Sequence, residues 1–155
     1  MRDALAARGL ACEVHELAAS TRTAQEAAAA VGCSVGQIVK SLVFRTARSD
    51  RLVLALASGT NRVSEAKLEA RLGEPVKRAD AAFVRERTGF AIGGVPPLGH
   101  AAPGVVLVDR DLLAFDVVWT AAGTPHAVFQ VAPPDLVRAA GGEVVDLAEP
   151  AVPAP

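Results

Sequence analysis

Apolar and polar positions alternate along much of the chain, and two apolar runs stand out. Residues 37–47 and 51–58 are joined by a short polar segment, a pattern typical of an antiparallel hairpin. Further strands are predicted over 11–17, 105–110, 116–122, 126–131 and 143–147. Because strands outnumber helices and the strongest pairing is a hairpin, we predict an α+β domain with a curved, mixed, mainly antiparallel sheet flanked by helices.

Helices are predicted where a capping signal precedes apolar residues at helical spacing. Thr23 and Glu26 have the spacing of a capping box, and Ser64 is placed as the N-cap of a helix that ends near Gly73. The helix that follows Thr23 is predicted over 24–31, and further helices are predicted over 1–9, 79–87 and 134–140. After the helix predicted over 79–87, residues 89–104 contain five glycines and three prolines, which predicts a long structured loop.

The bulk properties fit one domain. The chain has 155 residues, of which 51% are hydrophobic, and we predict a single domain over 1–148 with a flexible Pro-rich tail over 149–155. The N-terminus lacks the apolar region of a signal peptide, and no apolar run approaches the ~18 residues that cross a bilayer. We therefore expect a cytoplasmic protein with no membrane partner. A net charge of −1 argues against extensive binding to duplex nucleic acid, but it permits docking of a nucleic-acid end.

Motifs for metals and cofactors are absent from the sequence. Cys12 and Cys33 fit no zinc spacing, and there is no HExxH or G-x-S-x-G pattern. The glycine-rich loop lacks the strand-before and helix-after context of a dinucleotide or P-loop site. We expect no cofactor and no metal, and the sequence carries no signal for an oligomeric state.

A single lysine interrupts the apolar run QIVKSLVFR. In a strand, Lys40 shares a face with Ile38, Leu42 and Phe44, where desolvation of an ammonium is costly. It could be a lysine of an edge strand that reaches solvent or an acidic partner, which the pattern alone favours. It could instead be a cleft lysine that binds an anionic or carbonyl group or acts as a base. The use of arginine at 13 of 16 basic positions slightly favours the second interpretation.

Two further segments could carry chemistry. The paired glycines Gly93 and Gly94 would let the backbone approach a ligand closely, although such a loop can equally be a tight connector. His126 follows a turn between two predicted strands, where a lone histidine is more often structural than chemical.

Three motifs, TAQEAAAAVGCSVGQIVKSLVF, TGFAIGGVPPLGH and VVWTAAGTPHAVFQV, follow one another in this order. Together, over residues 20–147, they resemble the YbaK/EbsC family of aminoacyl-tRNA deacylases, which is related to the editing domain of bacterial prolyl-tRNA synthetases. The resemblance implies hydrolysis of the ester between a mischarged amino acid and the 3′-terminal adenosine of tRNA, without a metal or a covalent intermediate. Mischarged tRNA-Pro is the favoured substrate, and prolyl-tRNA synthetase is a candidate partner.

The resemblance also implies roles for individual residues. Lys40 corresponds to the functional lysine of the family, and Gly93 and Gly94 correspond to backbone near the scissile ester, so these three are the expected catalytic residues. The Ala-Gly turn at the opposite wall corresponds to Ala122 and Gly123. The expected substrate-binding residues are Ala122, Gly123, His126 and Ser41.

The chain departs from relatives that act on cysteinyl-tRNA. Those carry a tyrosine before the first helix, and this chain has none; Thr124, Pro125 and His126 follow the Ala-Gly turn in place of a basic run. His126 could instead contact the amino acid or the ribose. The alternative functions are a non-catalytic module that binds aminoacyl-tRNA or a synthetase, and a hydrolase of some other small ester.

Overall fold

The computed structural model describes residues 7, 9, 13–17, 23–102, 104–124 and 126–149. Its strands are β1 (Val14–Glu16), β2 (Val39–Thr46), β3 (Leu52–Ser58), β4 (Val76–Arg78), β5 (Val105–Asp109), β6 (Val118–Ala121), β7 (Ala127–Val131) and β8 (Glu143–Val145). Its α-helices are α1 (Ala24–Val31), α2 (Glu65–Leu72), α3 (Ala81–Thr88) and α4 (Pro133–Ala140). Short 3-10 helices span Val35–Gln37 and Arg110–Ala114. Most of the expected helix over 1–9 and of the expected tail over 149–155 lies outside the described residues.

The strands form two sheets. The larger has the order β4-β2-β3-β5-β8, in which β2 is antiparallel to β4 and β3, while β5 is parallel to β3 and β8. The smaller has the order β1-β7-β6 and is antiparallel throughout. The α+β class and the mixed pairing are confirmed. The strands divide between two sheets because β6 meets β2 at a single bridge, Ile38 to Trp119, and does not pair along it.

Strand β3 is buried on both faces, which explains its unbroken apolar sequence LVLALAS. Alternate residues point to opposite faces of a strand. Leu52, Leu54 and Leu56 belong to the core between the two sheets, which also contains Phe129. The opposite face packs in a second cluster with Phe44 and Leu68. Since burying one leucine side chain stabilises by about 1.5–3 kcal/mol, β3 gives β2 a firm partner along its length.

Side-chain caps fix the helices where the sequence predicts them. Thr23 Oγ1 accepts the N–H of Glu26 at 3.1 Å, and Ser64 Oγ accepts the N–H of Lys67 at 3.2 Å. The predicted helices over 24–31 and after Ser64 are therefore confirmed. The helix predicted over 79–87 is α3, and it begins two residues later because Asp80 is its N-cap. Strand β4 was not predicted.

Among the residues that the structure describes, no helix combines the length and the apolar character that a bilayer crossing requires.

Candidate functional site

The exposed edge of β2 is covered at both ends and open in the middle. At one end Ile38 bridges Trp119 of β6, and at the other Phe44 pairs with Arg78 of β4. Past the end of β4, the N–H of Ala79 donates to the carbonyl of Val43 at 3.0 Å. Neither β6 nor β4 pairs with residues 39–42, so, within the described part of the chain, this part of β2 presents an open edge between two strands.

A cavity of about 430 Å³ occupies this opening. Its walls are α1, the open part of β2, the loop that contains Gly93, and β6. Most of its lining is small or apolar, including Ala24, Ala27, Val31, Ile38, Val39, Leu42, Val43, Val84, Val95 and Trp119. None of the described lining residues is His, Cys, Asp or Glu, and no group of three such residues elsewhere in the described ranges could hold a metal ion. The cavity therefore suits a small, largely apolar ligand group.

Lys40 lines the cavity and is partly buried. Its Nζ donates a hydrogen bond to the carbonyl of Asn61. Burial lowers the pKa of the Lys40 ammonium, the carboxylate of Asp109 opposes this shift, and the positive charges of Arg62 and Arg78 lower the pKa further. A lysine with these surroundings can bind an anionic oxygen and gives up its proton more readily than a lysine in water.

A second groove, of about 470 Å³, meets the cavity at Lys40. Lys40, Leu42 and Arg78 line both spaces, and Arg62 lines only the groove. Both arginines are exposed, so the groove presents positive charge beside the apolar cavity, although Glu65 and Glu149 also line it. The two spaces together could hold a ligand with an apolar group at one end and an anionic group at the other.

A buried carboxylate holds the residues that position Lys40. Asp109 Oδ2 accepts the N–H of Ser58 at 3.0 Å and the side-chain amide of Asn61 at 2.8 Å. Asp109 Oδ1 accepts the N–H of Asp111 at 2.9 Å. The turn after β3 is thereby fixed, and with it the Asn61 carbonyl that receives the Lys40 hydrogen bond.

The site residues expected from the sequence differ in whether they line the cavity. Lys40, Ser41 and Gly93 line the cavity. Gly94 is buried behind the wall, where an added Cβ would lie 2.9 Å from Thr124 Cα, so the Gly-Gly loop packs directly on the Ala-Gly turn. The N–H of Gly94 already donates to the carbonyl of Ala91 at 3.0 Å. Gly93 is thus the member of the pair whose backbone borders the cavity.

The turn residues stand further from the cavity than expected. Ala122 is buried and donates its N–H to Ala127 at 2.9 Å, and Gly123 packs near Phe90. The cavity wall is formed by the preceding residue, Ala121. His126 is exposed and is not among the described residues that line the cavity, so its contact with a substrate stays a prediction.

Sequence reasoning missed three features of the site. Thr120 lines the cavity from β6, and Arg78 borders both spaces. A threonine in an apolar strand gives no distinctive signal, since strands favour β-branched residues. The Asp109–Asn61 contact joins residues 48 positions apart, and its only sequence signal was a carboxylate at the end of an apolar strand.

The fold and the site define a small α+β domain with a pocket for a small acyl-sized group beside a lysine. The chain belongs to the aminoacyl-tRNA editing domain family, whose model matches residues 18–139. The resemblance noted from the three sequence motifs is thereby confirmed.

Individual relatives agree with this assignment. A solved structure described as a candidate trans-editing enzyme for prolyl tRNA synthetase is 49% identical, with a TM-score of 0.91, and the match covers 96% of this chain and 94% of that one. The uncharacterized protein YwhH of Bacillus subtilis (strain 168) is 32% identical over 80% of this chain and 78% of its own length. A proline–tRNA ligase of Thermoanaerobacter sp. (strain X514) is 30% identical over 60% of this chain, which corresponds to 16% of the ligase.

Proposed function

We propose that this protein is a trans-editing hydrolase that removes the amino acid from mischarged aminoacyl-tRNA, with mischarged tRNA-Pro as the favoured substrate. The observation that carries the proposal is the open edge of β2, where Lys40 and Gly93 border a small apolar cavity in a chain of the editing-domain family. The similarity to a candidate trans-editing enzyme and to a segment of a proline–tRNA ligase supports the choice of tRNA-Pro.

In the proposed complex, the aminoacyl group enters the cavity and the 3′-terminal adenosine stays at its mouth. The apolar lining receives a small side chain, and the limited volume excludes larger ones. The ammonium of Lys40 binds a ribose or phosphate oxygen, and the positive charges of Arg62 and Arg78 attract the phosphates of the single-stranded end. Such contacts bring the ester to the Gly93 backbone.

The proposed reaction is ester hydrolysis without a metal ion or a covalent intermediate. Water attacks the carbonyl carbon, the bond to the ribose oxygen breaks, and that oxygen leaves with a proton as a hydroxyl group. Lys40 stabilises negative charge that develops on oxygen, and the backbone at Gly93 orients the water or the carbonyl. Editing of this kind is needed because binding alone distinguishes one methylene by only about 10- to 200-fold.

The proposal places the protein in the cytoplasm, where charged tRNA is used, and makes prolyl-tRNA synthetase a candidate partner. A separate editing protein would act on charged tRNA after its release, so a direct contact with the synthetase would shorten the time in which an error survives.

The experiment is deacylation of a panel of mischarged tRNAs by the wild type and by Lys40→Met. We expect Lys40→Met to lower kcat/KM by about 10²- to 10³-fold, because it removes the positive charge and keeps the length of the side chain. Lys77→Met is the matched control, since Lys77 is an exposed lysine of β4 and does not line either space. Equal rates for wild type and Lys40→Met would refute the role of Lys40, and tight tRNA binding without turnover would favour a binding module.

A further inference from the structure

Two hydroxyl groups in the cavity wall have no hydrogen-bond partner. Ser41 Oγ and Thr120 Oγ1 are the buried side-chain polar atoms that remain unpaired within the described part of the chain. Both residues line the 430 Å³ cavity. An unpaired buried hydroxyl is costly to a folded protein, so each occurrence in a native structure calls for an explanation.

The other buried hydroxyls of this protein show that the omission is local. Thr88 Oγ1 donates to the carbonyl of Val84 at 2.6 Å, and Ser58 Oγ donates to the carbonyl of Gly36 at 2.7 Å. Ser64 caps α2, and Thr46 is paired with Ser49 at 2.9 Å. Each of these groups supports the fold. Both unpaired hydroxyls belong to residues that line the cavity in which the proposed function places the substrate.

The topology places the two residues on different strands of the cavity wall, Ser41 on β2 and Thr120 on β6. Thr120 is the residue of β6 that follows the Ile38–Trp119 bridge, and it is only 1% exposed. Ser41 lies in the uncovered part of β2, three residues beyond the same bridge. Because β2 and β6 separate after the bridge, a ligand between them can reach both hydroxyls at once.

The chemistry of the cavity indicates which ligand group the hydroxyls accept. Every aminoacyl ester carries an α-amino group, which needs hydrogen-bond acceptors when it leaves water. None of the described lining side chains is a carboxylate, so hydroxyl and carbonyl oxygens are the acceptors on offer. The amino acid side chain, in contrast, meets a lining that is mostly apolar.

We infer that Thr120 Oγ1, together with Ser41 Oγ, accepts hydrogen bonds from the α-amino group of the aminoacyl ester, which makes Thr120 a specificity-determining residue. This inference rests on the proposed function. It gives the cavity a preference for esters with a free amine, so peptidyl-tRNA and other N-acylated species, whose nitrogen is blocked and enlarged, are spared from hydrolysis.

The test compares two esters of the same tRNA-Pro, one with alanine and one with propionic acid, which has the size of alanine without the amine. Thr120→Val removes the hydroxyl and keeps the shape of the side chain. We expect it to lower kcat/KM for alanyl-tRNA by about tenfold and to leave propionyl-tRNA unchanged, while Thr120→Ser retains most of the preference for alanyl-tRNA. Because the hydroxyl has no partner among the described residues, the ligand-free Thr120→Val variant should unfold at an equal or higher temperature.

Thr88→Val is the matched control. It removes a buried hydroxyl that is hydrogen bonded and does not line the cavity, so it should lower the unfolding temperature and leave the ratio of the two rates unchanged. An equal loss on both esters after Thr120→Val, or a loss of ligand-free stability, would overturn the assignment of Thr120. So would unchanged rates on both.

A failure of the proposed function gives a different result. If the wild type hydrolyses neither ester, the proposed activity is wrong, and ligand binding then decides the inference separately. Alaninamide should raise the unfolding temperature of the wild type more than propionamide does, and Thr120→Val should abolish that difference. The same response of both proteins to the two amides would refute the α-amino contact.

Discussion

Buried polar atoms around Asp109, at the end of β5, and at the cavity beside β2 differ in how they are hydrogen bonded. Around Asp109, the carboxylate receives three hydrogen bonds from Ser58, Asn61 and Asp111. At the cavity, the hydroxyls of Ser41 and Thr120 have no partner among the described residues. The carboxylate that holds the turn after β3 is paired, whereas two hydroxyls of cavity-lining residues are not, although Thr23 and Lys40 of the same lining are hydrogen bonded. Among the buried side-chain polar atoms that the structure describes, these two hydroxyls alone lack a partner, and both belong to residues that line the cavity where a ligand is expected to bind.

The largest expected effect is at Asp109, where the buried polar atoms are hydrogen bonded. Asp109→Ala removes a carboxylate that is only 1% exposed, so the N–H groups of Ser58 and Asp111 lose their acceptor, while the Asn61 amide keeps Asp111 Oδ2 at 2.7 Å. We expect the free energy of unfolding to fall by about 3 kcal/mol, measured by urea denaturation. Activity should fall as well, because Asn61, whose carbonyl receives the Lys40 hydrogen bond, loses one of the two carboxylates that hold its side chain.

Asp116→Ala is the control for this substitution, because Asp116 is an exposed aspartate. It should change the free energy of unfolding by less than about 0.5 kcal/mol. A similar small change for Asp109→Ala would show that the hydrogen bonds around Asp109 do not stabilise the fold. The contrast between the paired groups around Asp109 and the unpaired hydroxyls at the cavity would then disappear.

The next effect concerns the packing of Gly94 behind the cavity wall. A Cβ on Gly94 would lie 2.9 Å from Thr124 Cα and 3.1 Å from the carbonyl oxygen of Gly123, so the backbone must move to accept it. We expect Gly94→Ala to cost about 2 kcal/mol in urea denaturation and to impair deacylation, because the loop and the Ala-Gly turn can no longer pack.

Gly93→Ala tests the neighbouring position for a different reason. No atom lies within 4 Å of its added Cβ, but its φ of +92° is unfavourable for alanine. We expect a cost of about 1 kcal/mol from backbone strain alone. If Gly93→Ala proves more destabilising than Gly94→Ala, steric packing on the turn is not what makes the Gly-Gly pair necessary.

Local signals in the sequence predicted most of the secondary structure. The caps at Thr23 and Ser64 were predictable because each depends on a hydroxyl and a backbone N–H three residues away. The hairpin of β2 and β3 was predictable because a short polar segment separates two apolar runs. Strand β4 was not, since a three-residue strand, VKR, has no room for a pattern.

The site was predictable only as far as its motifs. Lys40 was conspicuous as a charge in an apolar strand, and the sequence could not show that β4 and β6 leave its edge open. That gap depends on pairings between residues 34 and 81 positions apart, Phe44 with Arg78 and Ile38 with Trp119. For the same reason the Thr120 hydroxyl could not be distinguished from that of any other strand threonine.

The smallest expected effect concerns the charge of Lys40. Its pKa is lowered in the folded protein, so between that pKa and about 10.4 the unfolded chain binds more protons than the folded one. The contribution of Lys40 to stability is therefore complete above the unfolded pKa and is lost as the pH falls through the folded pKa. Lys40→Met has no such dependence, so we expect the wild type to gain stability relative to this variant as the pH rises from 7 towards about 10.

Urea denaturation of both proteins at several pH values measures this difference, and subtraction removes the titration of groups that the two proteins share. Burial and the charges of Arg62 and Arg78 lower the Lys40 pKa, and Asp109 opposes this shift. A stability difference that does not change with pH would show that the Lys40 ammonium is as well solvated as in the unfolded chain. That result would favour an edge lysine that reaches solvent over the partly desolvated cleft lysine of the proposed reaction.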